Sequence, residues 1–169
     1  MPALPPVNSD SIQFPPAWPR ISQFVNTLTK PARVLLADDH SAVLAQTINL
    51  LIGMFDIVGS VGNGPDLIKA AAQLDPDVVV LDITMSGIDG IEAARQLQRD
   101  GCRAKLVFLT VHDDLDYVQA ALQAGGSAYV VKSRLASDLV TAVREALAGR
   151  RFVSPTISLG NTRSQGQSP

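Results

Sequence analysis

Short apolar runs alternate with amphipathic segments through the middle of the chain. The runs have the length and β-branched content of strands buried on both faces, and they occupy residues 34–37, 57–61, 78–81, 105–109 and 128–131. Apolar residues at helical spacing predict helices around residues 43–52, 66–74, 91–97, 115–122 and 139–147. This alternation is typical of a parallel sheet with helices on both faces. It predicts a doubly wound α/β domain with five strands in the order 2-1-3-4-5.

The two ends of the chain differ in composition from this central domain. Residues 1–31 contain seven of the eleven prolines. Because proline fixes φ and lacks an amide donor, we expect a flexible arm, with a short helix over residues 21–28 as the alternative. Residues 32–150 are predicted to form the folded domain, and residues 151–169 a linker-like polar tail.

Composition excludes several classes of function. A net charge of −2 gives no indication of a nucleic-acid ligand, which usually requires a basic patch. The single cysteine, Cys102, excludes an internal disulfide and suits a reducing compartment. No apolar run approaches the roughly 20 residues of a membrane span, and the N-terminus lacks the pattern of a signal peptide. We therefore expect a cytoplasmic domain that binds neither membrane nor nucleic acid.

Polar residues stand where four of the predicted strands end. Asp38 and Asp39 follow the first strand, Asp82 the third, Thr110 the fourth and Lys132 the fifth. The carboxyl ends of parallel strands meet at one edge, where open α/β sheets bind ligands. Two carboxylates about 5 Å apart repel by roughly 3 kcal/mol at an effective dielectric constant of about 20, and a hard cation such as Mg²⁺ relieves that repulsion. A carboxylate nucleophile, a metal and an ammonium group predict phosphoryl transfer to an aspartate.

With Met85, Gly90 and Tyr129, these residues make the stretch 33–150 similar to the receiver domain of bacterial two-component response regulators. The resemblance implies a flavodoxin-like (CheY-like) fold and a phosphorelay in which Asp82 becomes an aspartyl phosphate. It also implies a sensor histidine kinase or histidine phosphotransfer protein as the phosphoryl donor. No separate substrate would be turned over, because the domain would undergo only Mg²⁺-dependent self-phosphorylation and autodephosphorylation.

The same resemblance assigns roles to the residues around the acceptor. Lys132 would pair with the acceptor carboxylate and then with the phosphoryl group. Thr110 would move to hydrogen-bond a phosphoryl oxygen while Tyr129 turns inward, and this switch would be read by a downstream effector or by a second copy in a homodimer. The implied Mg²⁺ ligands are Asp38 (through water), Asp39, Asp82 and the Thr84 carbonyl.

Two further side chains are predicted to lie beside the phosphoryl group. Thr84 stands two residues after Asp82, and His112 two residues after Thr110. We expect both to tune the access of water to the phosphoryl group. His40 is predicted to lie at the rim of the site and not to bind the metal, because Mg²⁺ prefers oxygen ligands.

The stretches 109–114 and 149–155 resemble receivers of the NarL/FixJ subfamily, which precede a LuxR-type helix-turn-helix. The chain is therefore interpreted as a stand-alone receiver, with the receiver part of a DNA-binding regulator as an alternative. Ser86 and Ser133 stand where many receivers have proline. A cis bond before Ser133 would cost about 2.5–4 kcal/mol, so its cis or trans state stays open.

Three other functions are weaker alternatives. An aspartyl-phosphate hydrolase would have a second aspartate two residues after its nucleophile, where this chain has Thr84. A flavin-binding module would need a phosphate-cradling loop after the first strand, where Asp38 and Asp39 repel phosphate. A receiver that is not phosphorylated would act by protein binding alone.

Overall fold

The computed structural model describes residues 30–157 of the 169-residue chain. The predicted arm lies almost entirely outside the described residues, as does the tail beyond residue 157. The helices are α1 (Ser41–Leu51), α2 (Gly64–Leu74), α3 (Gly90–Arg99), α4 (Leu115–Gln123) and α5 (Leu135–Leu147). The strands are β1 (Arg33–Ala37), β2 (Asp56–Val61), β3 (Val78–Leu81), β4 (Lys105–Thr110), β5 (Gly126–Val131) and β6 (Phe152–Val153). A 3-10 turn, Lys132–Arg134, joins β5 to α5.

All strands run parallel in one sheet, in the order β2-β1-β3-β4-β5-β6. The predicted fold class and the order 2-1-3-4-5 are confirmed, but the prediction of five strands is one short. The additional strand β6 pairs with Ala128 and Tyr129 of β5. It has only two residues, too few to produce a hydrophobic period in the sequence.

The sheet is buried on both faces because its central strands carry apolar side chains at successive positions. On one face, residues such as Leu35, Leu81 and Phe108 pack against α2, α3 and α4. On the other, residues such as Leu36 and Val80 pack against α1 and α5. The carboxyl ends of the parallel strands lie together at one edge of the sheet, and the candidate site lies at that edge.

The start of α3 lies against the residue that follows β3. Asp89 caps this helix by accepting a hydrogen bond from the Glu92 amide at 2.8 Å. The Gly90 amide donates to the Ile83 carbonyl at 2.7 Å. A Cβ atom on Gly90 would overlap the backbone carbonyl of Asp82, so the close approach requires glycine at this position.

The loop after β5 has ordinary backbone geometry. Every peptide bond within residues 30–157 is trans, which answers the question left open for the bond between Lys132 and Ser133. None of the helices in that range has the length and hydropathy that spanning a bilayer requires.

Candidate functional site

The carboxyl ends of β1 and β3 bring Asp38 and Asp82 together. Their side chains are only 4% and 3% exposed. Asp39 lies at the rim, with a third of its side chain exposed. Potential ligand atoms of Asp38, Asp39, His40 and Asp82 all lie within 4.8 Å of one another. The three aspartates predicted to meet at the strand ends therefore lie together in the fold.

Lys132 extends from the end of β5 to a position between the two buried carboxylates. Its Nζ lies 2.7 Å from Asp38 Oδ2 and 2.9 Å from Asp82 Oδ2. The contact of Lys132 with Asp82 is a hydrogen bond. Its contact with Asp38 is a close ion pair whose angles fall outside those of a hydrogen bond. Burial opposes the charge on Lys132, but the two carboxylates outweigh it, so its pKa lies above the ordinary value for lysine. Lys132 therefore stays charged beside the Asp82 carboxylate.

The carboxylates retain capacity for a cation besides Lys132. Asp82 Oδ1 is buried and has neither a hydrogen-bond nor an ion-pair partner among the described residues, whereas Asp38 Oδ2 is buried with Lys132 as its ion partner. A buried carboxylate oxygen without a partner is costly, and three carboxylates exceed the charge of one ammonium group. Oxygen donors with open positions are the ligands that Mg²⁺ prefers. The residues present therefore fit a Mg²⁺ ion held by the acidic cluster.

His40 lies at the rim, as predicted, and its side chain is 65% exposed. It is the residue immediately before α1. Its Nδ1 lies 2.7 Å from Asp39 Oδ1 and 3.3 Å from Asp38 Oδ1. The sequence reasoning missed these contacts. The sequence indicates these contacts only in that His40 directly follows Asp38 and Asp39.

Thr84 and His112 lie in the loops after β3 and β4 and contact each other. Thr84 Oγ1 is 3.0 Å from His112 Nε2. The His112 ring stacks on the Tyr117 ring, with centroids 3.9 Å apart and an angle of 13°. Thr110 is fully buried at the end of β4, and its hydroxyl accepts a long hydrogen bond of 3.4 Å from the His112 amide. The structure therefore links the loops after β3 and β4, and the stack on Tyr117 was not predicted.

Tyr129 lies inside the domain. Its side chain is fully buried, its hydroxyl donates to the His112 carbonyl at 3.0 Å, and its ring stacks on Phe108. Burial, and then the charges of Asp114 and Asp113, hold the pKa of Tyr129 above its ordinary value. The phenol is therefore neutral and serves as a hydrogen-bond donor to the loop that carries His112.

Sequence relatives of the chain are regulators of transcription and signalling. A family model described as the response regulator receiver domain matches residues 34–144. The response regulator GacA of Pseudomonas viridiflava is 38% identical over 128 residues, which cover 75% of this chain and 60% of the relative. The chain thus spans about 60% of the length of curated relatives such as GacA.

Solved structures with the same fold include a LuxR-family two-component response regulator from Aurantimonas sp. SI85-9A1. It is 35% identical with a TM-score of 0.71, over 76% of this chain and 93% of that one. The isolated REC domain of RcsB from Salmonella enterica serovar Typhimurium, in the presence of phosphomimetic BeF3⁻, is 26% identical. Its TM-score is 0.70, over 76% of this chain and 97% of that one.

Proposed function

The chain belongs to the response regulator receiver domain family of two-component signalling, and we propose that Asp82 accepts a phosphoryl group from a partner's phosphohistidine. One observation carries the proposal. The Asp82 carboxylate is buried beside Asp38, binds Lys132 through one oxygen and has no donor on the other. A sensor histidine kinase or a histidine phosphotransfer protein would present the donor group.

The proposed transfer is a substitution at phosphorus. An oxygen of Asp82 forms a bond with the phosphorus atom while the bond from phosphorus to the donor imidazole nitrogen breaks. The electron pair of that bond stays on the nitrogen, which takes a proton from solvent. In hydrolysis, water oxygen bonds to phosphorus, Asp82 leaves with the electron pair of the acyl-phosphate bond, and the proton of water passes to solvent.

The other site residues would stabilise charge and hold the metal. Lys132 moves from the carboxylate to a phosphoryl oxygen, since a charged donor forms the stronger hydrogen bond with an anion. Thr110 donates its hydroxyl to another phosphoryl oxygen. When bound, Mg²⁺ would neutralise part of the negative charge on the phosphoryl group. Its proposed ligands are Asp39, Asp82, the Thr84 carbonyl and, through water, Asp38.

The experiment that tests this function is intact-mass measurement after incubation with acetyl phosphate. With Mg²⁺ we expect one phosphoryl group per chain, with acetate released. With excess EDTA we expect none, because the carboxylates then repel the incoming anion. Absence of an adduct from a folded protein in Mg²⁺ would contradict the proposal and favour a receiver that acts by protein binding alone.

Thr84 and His112 are proposed to limit the access of water to the phosphoryl group. Replacing both by alanine removes their mutual contact, which joins the loops that follow Asp82 and Thr110. We expect autodephosphorylation to accelerate about tenfold, which corresponds to about 1.4 kcal/mol in the barrier. The measurement is the decay of the phosphorylated protein after removal of the donor.

A matched control for this double variant is Val111→Ala. Val111 lies between Thr110 and His112, and it is 65% exposed. Its truncation should leave the decay unchanged. A double variant that decays at the wild-type rate would contradict the proposed tuning role.

Partners and location follow from the same proposal. Besides the donor, we propose that the phosphorylated domain acts on a downstream effector or pairs with a second copy. We propose no nucleic-acid or membrane ligand for residues 30–157. We propose that the domain is cytoplasmic, where the free thiol of Cys102 would remain reduced.

A further inference from the structure

A segment that follows α5 packs along the free edge of β5. We call residues 152–157 the C-terminal strap. Within it, Phe152 and Val153 pair with Ala128 and Tyr129. The Ser154 amide donates to the Tyr129 carbonyl at 2.9 Å. Ile157, 7% exposed, packs in the same apolar cluster as Tyr129. The strap is therefore part of the folded domain.

The strap contributes a buried hydroxyl beside the end of β5. Ser154 is 1% exposed, and its Oγ accepts from the Val131 amide at 3.2 Å. The same hydroxyl donates to Asp138 Oδ2 at 2.8 Å. Val131 is buried and lies beyond the two residues of β5 that pair with β6. Without Ser154, its amide would be a buried donor with no acceptor in the strap, which is costly.

Val131 is the residue immediately before Lys132, and the turn that begins at Lys132 is held at its other end by the same carboxylate. Arg134 donates to Asp138 Oδ2 through Nε at 2.8 Å and to Oδ1 through Nη2 at 3.0 Å. This pair, opposed by burial and assisted by Ser137 and Ser154, lowers the pKa of Asp138 to about 2. The Asp138 carboxylate therefore holds the Arg134 end of the turn directly and the Val131 end through Ser154.

The turn held by these contacts contains Ser133, and serine does not restrict the backbone as proline does. The turn therefore needs fixing by other contacts, and Asp138 supplies them. The Lys132 Nζ is held 2.7 Å from Asp38 and 2.9 Å from Asp82, so a shift of its Cα must change the side-chain conformation that makes both contacts.

We propose that Ser154 and Asp138 are positioning residues for Lys132, and that docking of the C-terminal strap is thereby coupled to phosphoryl transfer at Asp82. The inference rests on the proposed function. Coupling between two equilibria is reciprocal, so phosphorylation of Asp82 changes how tightly the strap docks.

The test compares Ser154→Ala with Thr156→Ala. Thr156 lies in the same strap, two residues after Ser154, but it is exposed. Two readouts are needed. Hydrogen exchange of the Val131 amide is measured in metal-free protein, where a purely catalytic defect has no effect. The rate constant of phosphorylation by acetyl phosphate is measured at saturating Mg²⁺.

In Ser154→Ala we expect exchange of the Val131 amide to accelerate at least about tenfold and the phosphorylation rate constant to fall about tenfold. Thr156→Ala should stay within about twofold of wild type in both. The Mg²⁺ affinity of Ser154→Ala, measured by calorimetry, should also be retained, since Lys132 is not a metal ligand.

Different results overturn different claims. A folded Ser154→Ala protein with wild-type exchange at Val131, or with a wild-type phosphorylation rate, would overturn the positioning role. So would joint loss of Mg²⁺ binding and phosphorylation, which indicates a collapsed site. Wild-type protein that takes no phosphoryl group would instead overturn the proposed function, and the coupling with it.

Discussion

Replacing Asp82 by asparagine is expected to abolish the phosphoryl adduct. The amide oxygen carries no charge and is too weak a nucleophile to displace a phosphoryl group, so no slower route through this residue remains. The fold should persist, because the amide oxygen still accepts a hydrogen bond from Lys132, and Lys132 keeps Asp38 as its ion partner at 2.7 Å. The measurement is intact mass with Mg²⁺ and acetyl phosphate, beside a thermal melt.

Asp77→Asn is the matched control for this change. Asp77 precedes β3, whereas Asp82 follows it, so the two aspartates lie at opposite ends of one strand. The Asp77 carboxylate is exposed and accepts a hydrogen bond from the Arg33 amide at 2.8 Å. The control should take up the phosphoryl group normally. An undiminished adduct on Asp82→Asn would place the acceptor elsewhere.

Replacing Lys132 by methionine is expected to destabilise the metal-free protein strongly. The change leaves Asp38 and Asp82 without their cation. Both carboxylates are buried, with side chains 4% and 3% exposed. Breaking a buried ion pair by removing one partner costs about 3–5 kcal/mol. Because Lys132 is itself 12% exposed and some water reaches it, we expect about 3 kcal/mol, at the lower end of that range.

Mg²⁺ should reverse most of this loss, since it then supplies the positive charge that Lys132 provided. A ligand that binds only the folded state raises its stability by an amount that grows with affinity. We therefore expect Mg²⁺ to raise the free energy of unfolding more in Lys132→Met than in wild type. Chemical denaturation with Mg²⁺ and with EDTA measures the difference.

The exposed Lys105 provides the control for that series, because Lys105→Met removes a lysine charge at the opposite end of the sheet. Its stability should change little, as is usual for surface substitutions. Equal stability of Lys132→Met and Lys105→Met without metal would show that the buried carboxylates do not depend on Lys132.

Much of the fold was predictable because its central strands contain runs of four or more consecutive apolar residues. Val78 to Leu81 are all buried, so the run of four apolar residues in the sequence coincides with one buried strand, β3. Once the strands are parallel, their ends must share an edge. Asp38, Asp82 and Lys132 could therefore be placed together without knowing any distance between them.

What the sequence could not predict depends on contacts between short segments far apart in the chain. Strand β6 has two residues and no period, and Ser154 meets Val131 across 23 positions. Asp138 looks like an ordinary polar residue of a helix until its partners are known. The contacts of His40 with the acids depend on one side-chain rotamer, which no pattern of hydrophobicity encodes.

The measurement that tests the central claim most directly is mapping of the phosphorylated residue. Borohydride reduces an acyl phosphate to the alcohol, so an aspartyl phosphate is converted to homoserine at its own position. Peptide mass spectrometry of the reduced protein then identifies that position. We expect homoserine at position 82 in protein incubated with Mg²⁺ and acetyl phosphate, and none after EDTA treatment. Modification at another residue, with position 82 unchanged, would contradict the account.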